Sequence, residues 1–106
     1  MIKHLTPREL VSKLQNRSVQ LVDVRESFEV QLCRIEGSIH IPLRQLAYSD
    51  SLPLDKETDV VCYCHHGVRS LQSAMFLLSK GFKSVYNLTG GIHNWALDVD
   101  SGMATY

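Results

Sequence analysis

Short apolar runs alternate with amphipathic stretches along the whole chain, and no repeat, low-complexity tract or long linker interrupts them. That alternation predicts an α/β architecture. Thr6-Pro7-Arg8-Glu9 has the form of a capping box with proline in the first helical position. Leu10, Val11 and Leu14 follow at helical spacing, so a helix is expected from about Pro7 to Gln15. Val19-Gln20-Leu21-Val22-Asp23-Val24 is β-branched, mostly apolar and too short for an ordinary helix, which predicts a strand covered on both faces. Glu26 to Leu32 fits two helical turns, Gly37 to Pro42 a short extended piece stopped by proline, and Leu43 to Tyr48 another short helix. Asp59 to Tyr63 reads as the next strand. Ser70 to Lys80 reads as a helix with Leu71, Ala74, Met75, Leu77 and Leu78 on its apolar face, and Gly81 suits its C-terminus. Val85 to Leu88 predicts a last strand, Gly90-Gly91 a turn, and Ile92 to Leu97 a last short helix. Strands separated by helices imply a mostly parallel sheet with right-handed crossovers and helices on both faces.

Composition narrows what such a domain can do. The 106 residues fit one compact domain over 1–106. Eleven Lys plus Arg balance eleven Asp plus Glu, which disfavours nucleic acid or another polyanion as partner. No apolar run approaches the roughly 18 residues of a membrane span, and Met1 to Pro7 has no apolar core of a secretory signal, so the expected location is the cytoplasm, with no membrane partner. Three cysteines, Cys33, Cys62 and Cys64, form no Cys-x-x-Cys pair, and a disulfide framework is not expected. Each is either a buried apolar filler or a reactive thiolate, and its neighbours decide which.

The stretch that carries chemistry is Cys64-His65-His66-Gly67-Val68-Arg69-Ser70, between the carboxyl end of a buried strand and the start of an amphipathic helix. Open α/β sheets bind ligands there. A tight loop at that place can aim successive N–H groups inward as an anion nest; Gly67 permits the turn, and the helix dipole adds positive potential. A free cysteine has a pKa of about 8.5, which helix N-termini and cations lower to roughly 3.5–7.5, so Cys64 is expected to be largely thiolate, with Arg69 as the nearby fixed charge.

Cys-x-x-Gly-x-Arg-Ser after a strand resembles the active-site loop of the rhodanese-like sulfurtransferases. Leu21-Val22-Asp23-Val24-Arg25-Glu26, Ile35 to Pro42, and Leu88-Thr89-Gly90-Gly91-Ile92-His93-Asn94-Trp95 are similar to three further segments of that family, in the same order along nearly the whole chain. The resemblance implies a rhodanese-like fold with a mostly parallel five-stranded sheet. Protein tyrosine phosphatases and their relatives of this fold place five residues between cysteine and arginine, whereas only His65, His66, Gly67 and Val68 intervene here. The shorter loop resembles that of the sulfur-transferring members. It implies that Cys64 attacks the outer sulfur of a small sulfur-containing anion such as thiosulfate, or of a protein persulfide, and passes it on as Cys64–S–S⁻ to a thiophilic acceptor. No cofactor and no metal is implied. The rivals are a non-catalytic binding module of the same fold, and a phosphatase or arsenate reductase.

Cys33 and Arg34 stand where the common family pattern has Gly-His, and Glu36 where it has proline. That wording, with the tail Val99 to Tyr106, is more similar to rhodanese modules fused to enzymes that adenylate ubiquitin-like sulfur carriers, which implies a sulfur-carrier protein as a possible acceptor. Around Cys64 and Arg69 as catalytic residues, the loop residues His65, His66, Gly67, Val68 and Ser70 are expected to hold substrate and persulfide. His65 and His66 are either proton donors or solvent-facing residues at the mouth. Arg69 could equally hold the loop by pairing with a carboxylate. Asp23 and Arg25 are expected behind the loop, Asp23 accepting loop hydrogen bonds or acting as a structural cap. Cys62 and Cys33 are expected to be packing thiols, Trp95 and Tyr86 core and rim aromatics, and Glu26 and Glu29 a solvated helix face.

Overall fold

The computed structural model describes residues 1–16 and 18–106. In chain order the elements are β1 (Ile2–Leu5), α1 (Pro7–Gln15), β2 (Val19–Asp23), α2 (Ser27–Leu32), β3 (Ile39–His40), α3 (Leu43–Tyr48), β4 (Asp59–Tyr63), α4 (Val68–Ser79), β5 (Val85–Leu88) and α5 (Gly91–Asp98). The five strands form one sheet in the order β1-β5-β4-β2-β3, every pair parallel. The expected α/β fold, five-stranded sheet and helices on both faces are all present.

Each central strand is apolar on both faces because each face has its own helical layer. Val22, Val60, Cys62 and Val85 point to one side and meet Leu46 of α3 and Ala74 and Leu77 of α4. Leu21, Val61, Tyr63 and Leu88 point to the other and meet Leu10 of α1 and Ile92 and Trp95 of α5. Full burial of one such leucine stabilises the fold by roughly 1.5–3 kcal/mol. Tyr86 lies at the rim, with the ammonium groups of Lys3 and Lys13 over its ring.

The helix starts follow the local chemistry. Thr6 accepts from the Glu9 N–H while Glu9 accepts from the Thr6 N–H, which completes the predicted capping box of α1. The start of α4 and the edge strand β1 differ from the reading of the pattern. α4 begins at Val68 instead of Ser70, because Gly67 takes a left-handed φ of 106° and turns the chain into the helix directly. β1 was not predicted: Ile2-Lys3-His4-Leu5 lies at the sheet edge, and only Leu5 is buried.

Candidate active site

Val60, Val61, Cys62 and Tyr63 carry β4 through the centre of the sheet, and the chain leaves it at Cys64, which is 1% exposed. The turn from Cys64 to Gly67 then delivers the N-terminus of α4 back over the cysteine. As a result the Cys64 Sγ accepts the N–H of Gly67 at 3.0 Å and that of Ser70 at 3.4 Å. These donors come from the chain itself and move with no side-chain rotamer. The first-turn N–H groups of α4 have no intrahelical partner and add to the same positive end.

The turn is held from beneath by α5. The N–H of Ile92 donates to the Cys64 carbonyl at 2.8 Å, and that of His93 to the His65 carbonyl at 3.2 Å. Gly91, with φ 64°, makes this approach possible: a Cβ there would collide with the carbonyl oxygens of Cys64 and His65. From the side, Asn87 on β5 donates to the Gly67 carbonyl at 3.2 Å and accepts the Ser70 hydroxyl at 2.5 Å. The Ser70 oxygen is 3.4 Å from Sγ, but its proton is engaged by Asn87, so the sulfur is held chiefly by main-chain N–H groups.

Arg69 pairs with a carboxylate, the second of the two arrangements expected for it. Its guanidinium makes a bidentate pair with Glu29 of α2, at 2.6 and 2.8 Å, the geometry in which arginine binds a carboxylate most tightly. Glu29, expected on a solvated face, is 4% exposed. Besides Arg69 it accepts the hydroxyl of Tyr106 at 2.7 Å and the N–H of Glu26 at 3.2 Å. Arg69 above all, with Tyr106 and Glu26, outweighs burial and holds the Glu29 carboxyl down at about 2.

Asp23 and Arg25 are both fully buried and form a second ion pair behind the loop, Nη2 to Oδ2 at 2.7 Å and Nε to Oδ1 at 2.9 Å. Asp23 also accepts the Arg25 N–H at 3.0 Å, so it serves Arg25 and does not reach the Cys64 loop, contrary to one expectation for it. Arg25 goes on to donate to the carbonyls of Glu29 and Cys33 and to the Tyr106 hydroxyl. Burial alone would lower the pKa of this guanidinium; its bonds to Asp23 and Tyr106 outweigh that and hold it above its ordinary value.

The two loop histidines separate. His66 is exposed, whereas His65 is half-buried, with its ring stacked on Tyr106 at 3.8 Å between centroids and 6° between planes. The His65 Nε2 lies 2.6 Å from the Tyr106 main-chain oxygen. That oxygen only accepts, so Nε2 carries the proton. Burial, with the neighbouring His66 and His93, holds His65 below its ordinary pKa and therefore neutral at pH 7. His65 is therefore not the solvent-facing residue that was one of the expectations for it. Val68, the first residue of α4, is exposed. Cys62 is fully buried, and burial pushes its thiol up to about 12. Cys33 ends α2 half-buried, less enclosed than a packing thiol was expected to be, with its sulfur 4.0 Å from Arg25 Nη1.

Three participants escaped sequence reasoning: Glu29, Asn87 and Tyr106. The only local signal was Glu29 three residues after Glu26, the spacing of a capping box. Beside Arg69 an open groove of about 810 Å³ runs between α3 and α4, with Leu43, Tyr48, Met75 and Phe76 on its walls. Among the described residues, no group of three or more His, Cys, Asp or Glu side chains is arranged to hold a metal ion, and no helix is long and apolar enough to cross a membrane.

The rhodanese-like domain model matches residues 6–98. This chain belongs to the rhodanese-like family. It is 41% identical over 112 residues to the rhodanese-like/PpiC domain-containing protein 12, chloroplastic, of Arabidopsis thaliana, and spans 38% of that protein's length. It is 38% identical over 95 residues to the thiosulfate sulfurtransferase GlpE of Coxiella burnetii, covering 89% of this chain and 84% of the relative. The crystal structure of a rhodanese-like domain protein from Staphylococcus aureus superposes with a TM-score of 0.81 at 31% identity, covering 98% of both chains. Membership of the rhodanese-like family makes the main-chain cradle around Cys64 the natural place to look for its chemistry.

Proposed function

We propose that the protein is a sulfurtransferase that carries a sulfane sulfur on Cys64. The observation that carries this reading is the pair of main-chain N–H groups converging on the Cys64 sulfur at the start of α4. Such donors stabilise negative charge on sulfur without reorganising, as an oxyanion hole does for oxygen. With thiosulfate as donor, the Cys64 thiolate attacks the outer sulfur and a new S–S bond forms. The bond between the two thiosulfate sulfurs breaks, and sulfite leaves with the electron pair. The terminal sulfur of Cys64–S–S⁻ then lies among the N–H groups of the turn. An acceptor nucleophile attacks that sulfur, the Cys64 thiolate departs with the electron pair, and the cycle closes.

In this reading Cys64 and Arg69 are the catalytic pair. His65, His66, Gly67, Val68 and Ser70 form the persulfide loop, and Asp23 and Arg25 support it. Arg69, clamped by Glu29, contributes more by fixing the first turn of α4 than as a free cation. The donor is a small sulfur-containing anion or a protein persulfide, and a sulfur-carrier protein is the candidate acceptor. The name of the Coxiella relative supports thiosulfate as the donor to try first. Three free thiols fit a reducing compartment, and we assign the protein to the cytoplasm.

Protein incubated with thiosulfate is expected to gain one sulfur atom, about 32 Da by mass spectrometry, and to lose it to cyanide or a thiol, because covalent catalysis leaves an isolable intermediate. No adduct with thiosulfate, another sulfane donor or a desulfurase persulfide overturns the reading.

A further inference from the structure

Tyr106 is separated by 41 to 81 positions from its hydrogen-bond partners, yet it contacts both flanks of the Cys64 turn. On one flank its ring stacks on His65, the residue after Cys64, and its main-chain oxygen holds the His65 Nε2. On the other flank its hydroxyl accepts from Arg25 at 2.9 Å and donates to Glu29 at 2.7 Å, and Glu29 grips Arg69, the residue before Ser70. The hydroxyl thereby joins two ion pairs, Asp23–Arg25 and Glu29–Arg69, into one network. Burial pushes the Tyr106 phenol up to about 12, so it keeps the proton that Glu29 accepts at neutral pH.

The segment that presents Tyr106 is anchored in its own right. The N–H groups of Val99 and Asp100 both donate to the Trp95 carbonyl, Met103 N–H donates to Asp100, and Val99 and Met103 pack on the α1–α5 core layer. The space enclosed by Cys33, His65, Ile92, His93, Thr105 and Tyr106 is too tight to admit a water molecule, so this contact is a packed joint.

We infer that Tyr106 is a positioning residue for sulfur transfer: it clamps both flanks of the Cys64 turn and keeps the N–H groups of Gly67 and Ser70 aimed at the sulfur. This rests on the sulfurtransferase reading for its purpose, but not for its measurement. It does not touch the reacting atoms. Its effect is to hold the loop within the fraction of an ångström on which donor alignment depends, and misplacement by about 1 Å can cost roughly a hundredfold in rate.

The test compares the full chain with Tyr106→Phe and Tyr106→Ala. Iodoacetamide labelling at neutral pH is followed separately at Cys64 and Cys62 by peptide mass spectrometry, beside kcat and KM for sulfur transfer from thiosulfate to cyanide. Tyr106→Ala is expected to slow labelling of Cys64 and to lower kcat by roughly tenfold or more, with KM little changed. Tyr106→Phe keeps the ring on His65 and is expected to lose about threefold, an intermediate value. A role confined to stability predicts the opposite sign, since loosening the fold exposes both buried thiols and speeds labelling of Cys62 as well as Cys64. Wild-type labelling and kcat in both variants, or faster labelling of both thiols, overturns the inference. If Tyr106→Ala does not fold, Tyr106→Phe decides alone, and a wild-type rate there overturns it. If the unmodified protein takes up no sulfur from any donor, the sulfurtransferase reading fails, while the Cys64 labelling rates still decide whether Tyr106 positions the turn.

Discussion

Cys62 and Cys64 lie two residues apart, project to the same side of the sheet and are almost equally buried, at 0% and 1% exposure. Their surroundings differ completely. Cys62 is inside β4, where neighbouring strands take up the main-chain groups. Burial there opposes ionisation and pushes its thiol up to about 12. Cys64 is one step beyond the strand, where the backbone turns and presents N–H groups to the sulfur instead of to another strand. Burial therefore does not distinguish the packing thiol from the proposed nucleophile in this molecule. The direction in which the nearby N–H groups point does.

That contrast can be broken in several ways, the most severe at Cys64 itself. Cys64→Ser is expected to abolish both the persulfide adduct and turnover, read by mass spectrometry and a thiocyanate assay. Residual transfer near the unmodified rate would move the chemistry to another thiol. Gly91→Ala comes next, because a Cβ there strikes the carbonyls of Cys64 and His65 and must push the turn off α5. Turnover is expected to fall roughly a hundredfold, with the far-UV circular dichroism retained; a fall below about threefold would mean that the turn tolerates displacement.

Glu29→Gln sharpens the same comparison through pH. The Glu29 carboxyl is held at about 2 in the folded chain, below its ordinary 4.5, so its stabilisation is complete above pH 4.5 and is lost as the pH falls toward 2. The unmodified protein is expected to lose melting temperature more steeply than Glu29→Gln across that window. Parallel curves would show that the Arg69 pair contributes nothing to the fold. At neutral pH the same variant is expected to lose roughly tenfold in turnover, since the neutral amide leaves the Arg69 clamp uncompensated. The smallest effect is expected from Cys62→Ala, which lowers urea-unfolding stability by about 1 kcal/mol and leaves turnover intact. A turnover loss like that of Cys64→Ser would erase the distinction between the two thiols.

The central strands and the Cys64 turn were legible because their signals are local. Runs such as Asp59 to Tyr63 have one short-range explanation, and Gly67 two residues before Arg69 marks a left-handed turn at a helix start. What was missed depends on distant partners. β1 shows only Leu5 to the core, and an edge strand with one buried residue leaves no periodic trace. Glu29 looks like any solvated glutamate on a short helix until the fold brings Arg69 and Tyr106 to it, 40 and 77 positions away. Asp23 fell between the two cases. Its place at the carboxyl end of β2 was readable, but Arg25 captures its oxygens before the loop can.

The position of β1 also governs the order in which the molecule can assemble. β1 pairs with β5 alone, Ile2 opposite Val85 and Leu5 opposite Leu88, so β1 has no place in the sheet until β5 is available. Its contacts are among the most distant in the chain and carry the largest loop-closure cost, which places its docking late in folding. The β2–β4–β5 centre, and with it the turn that holds Cys64, can form while Ile2 to Leu5 is still free. Until β5 is available, Ile2 to Leu5 is an unpaired strand whose shortness and the charge of Lys3 discourage it from adding to another chain.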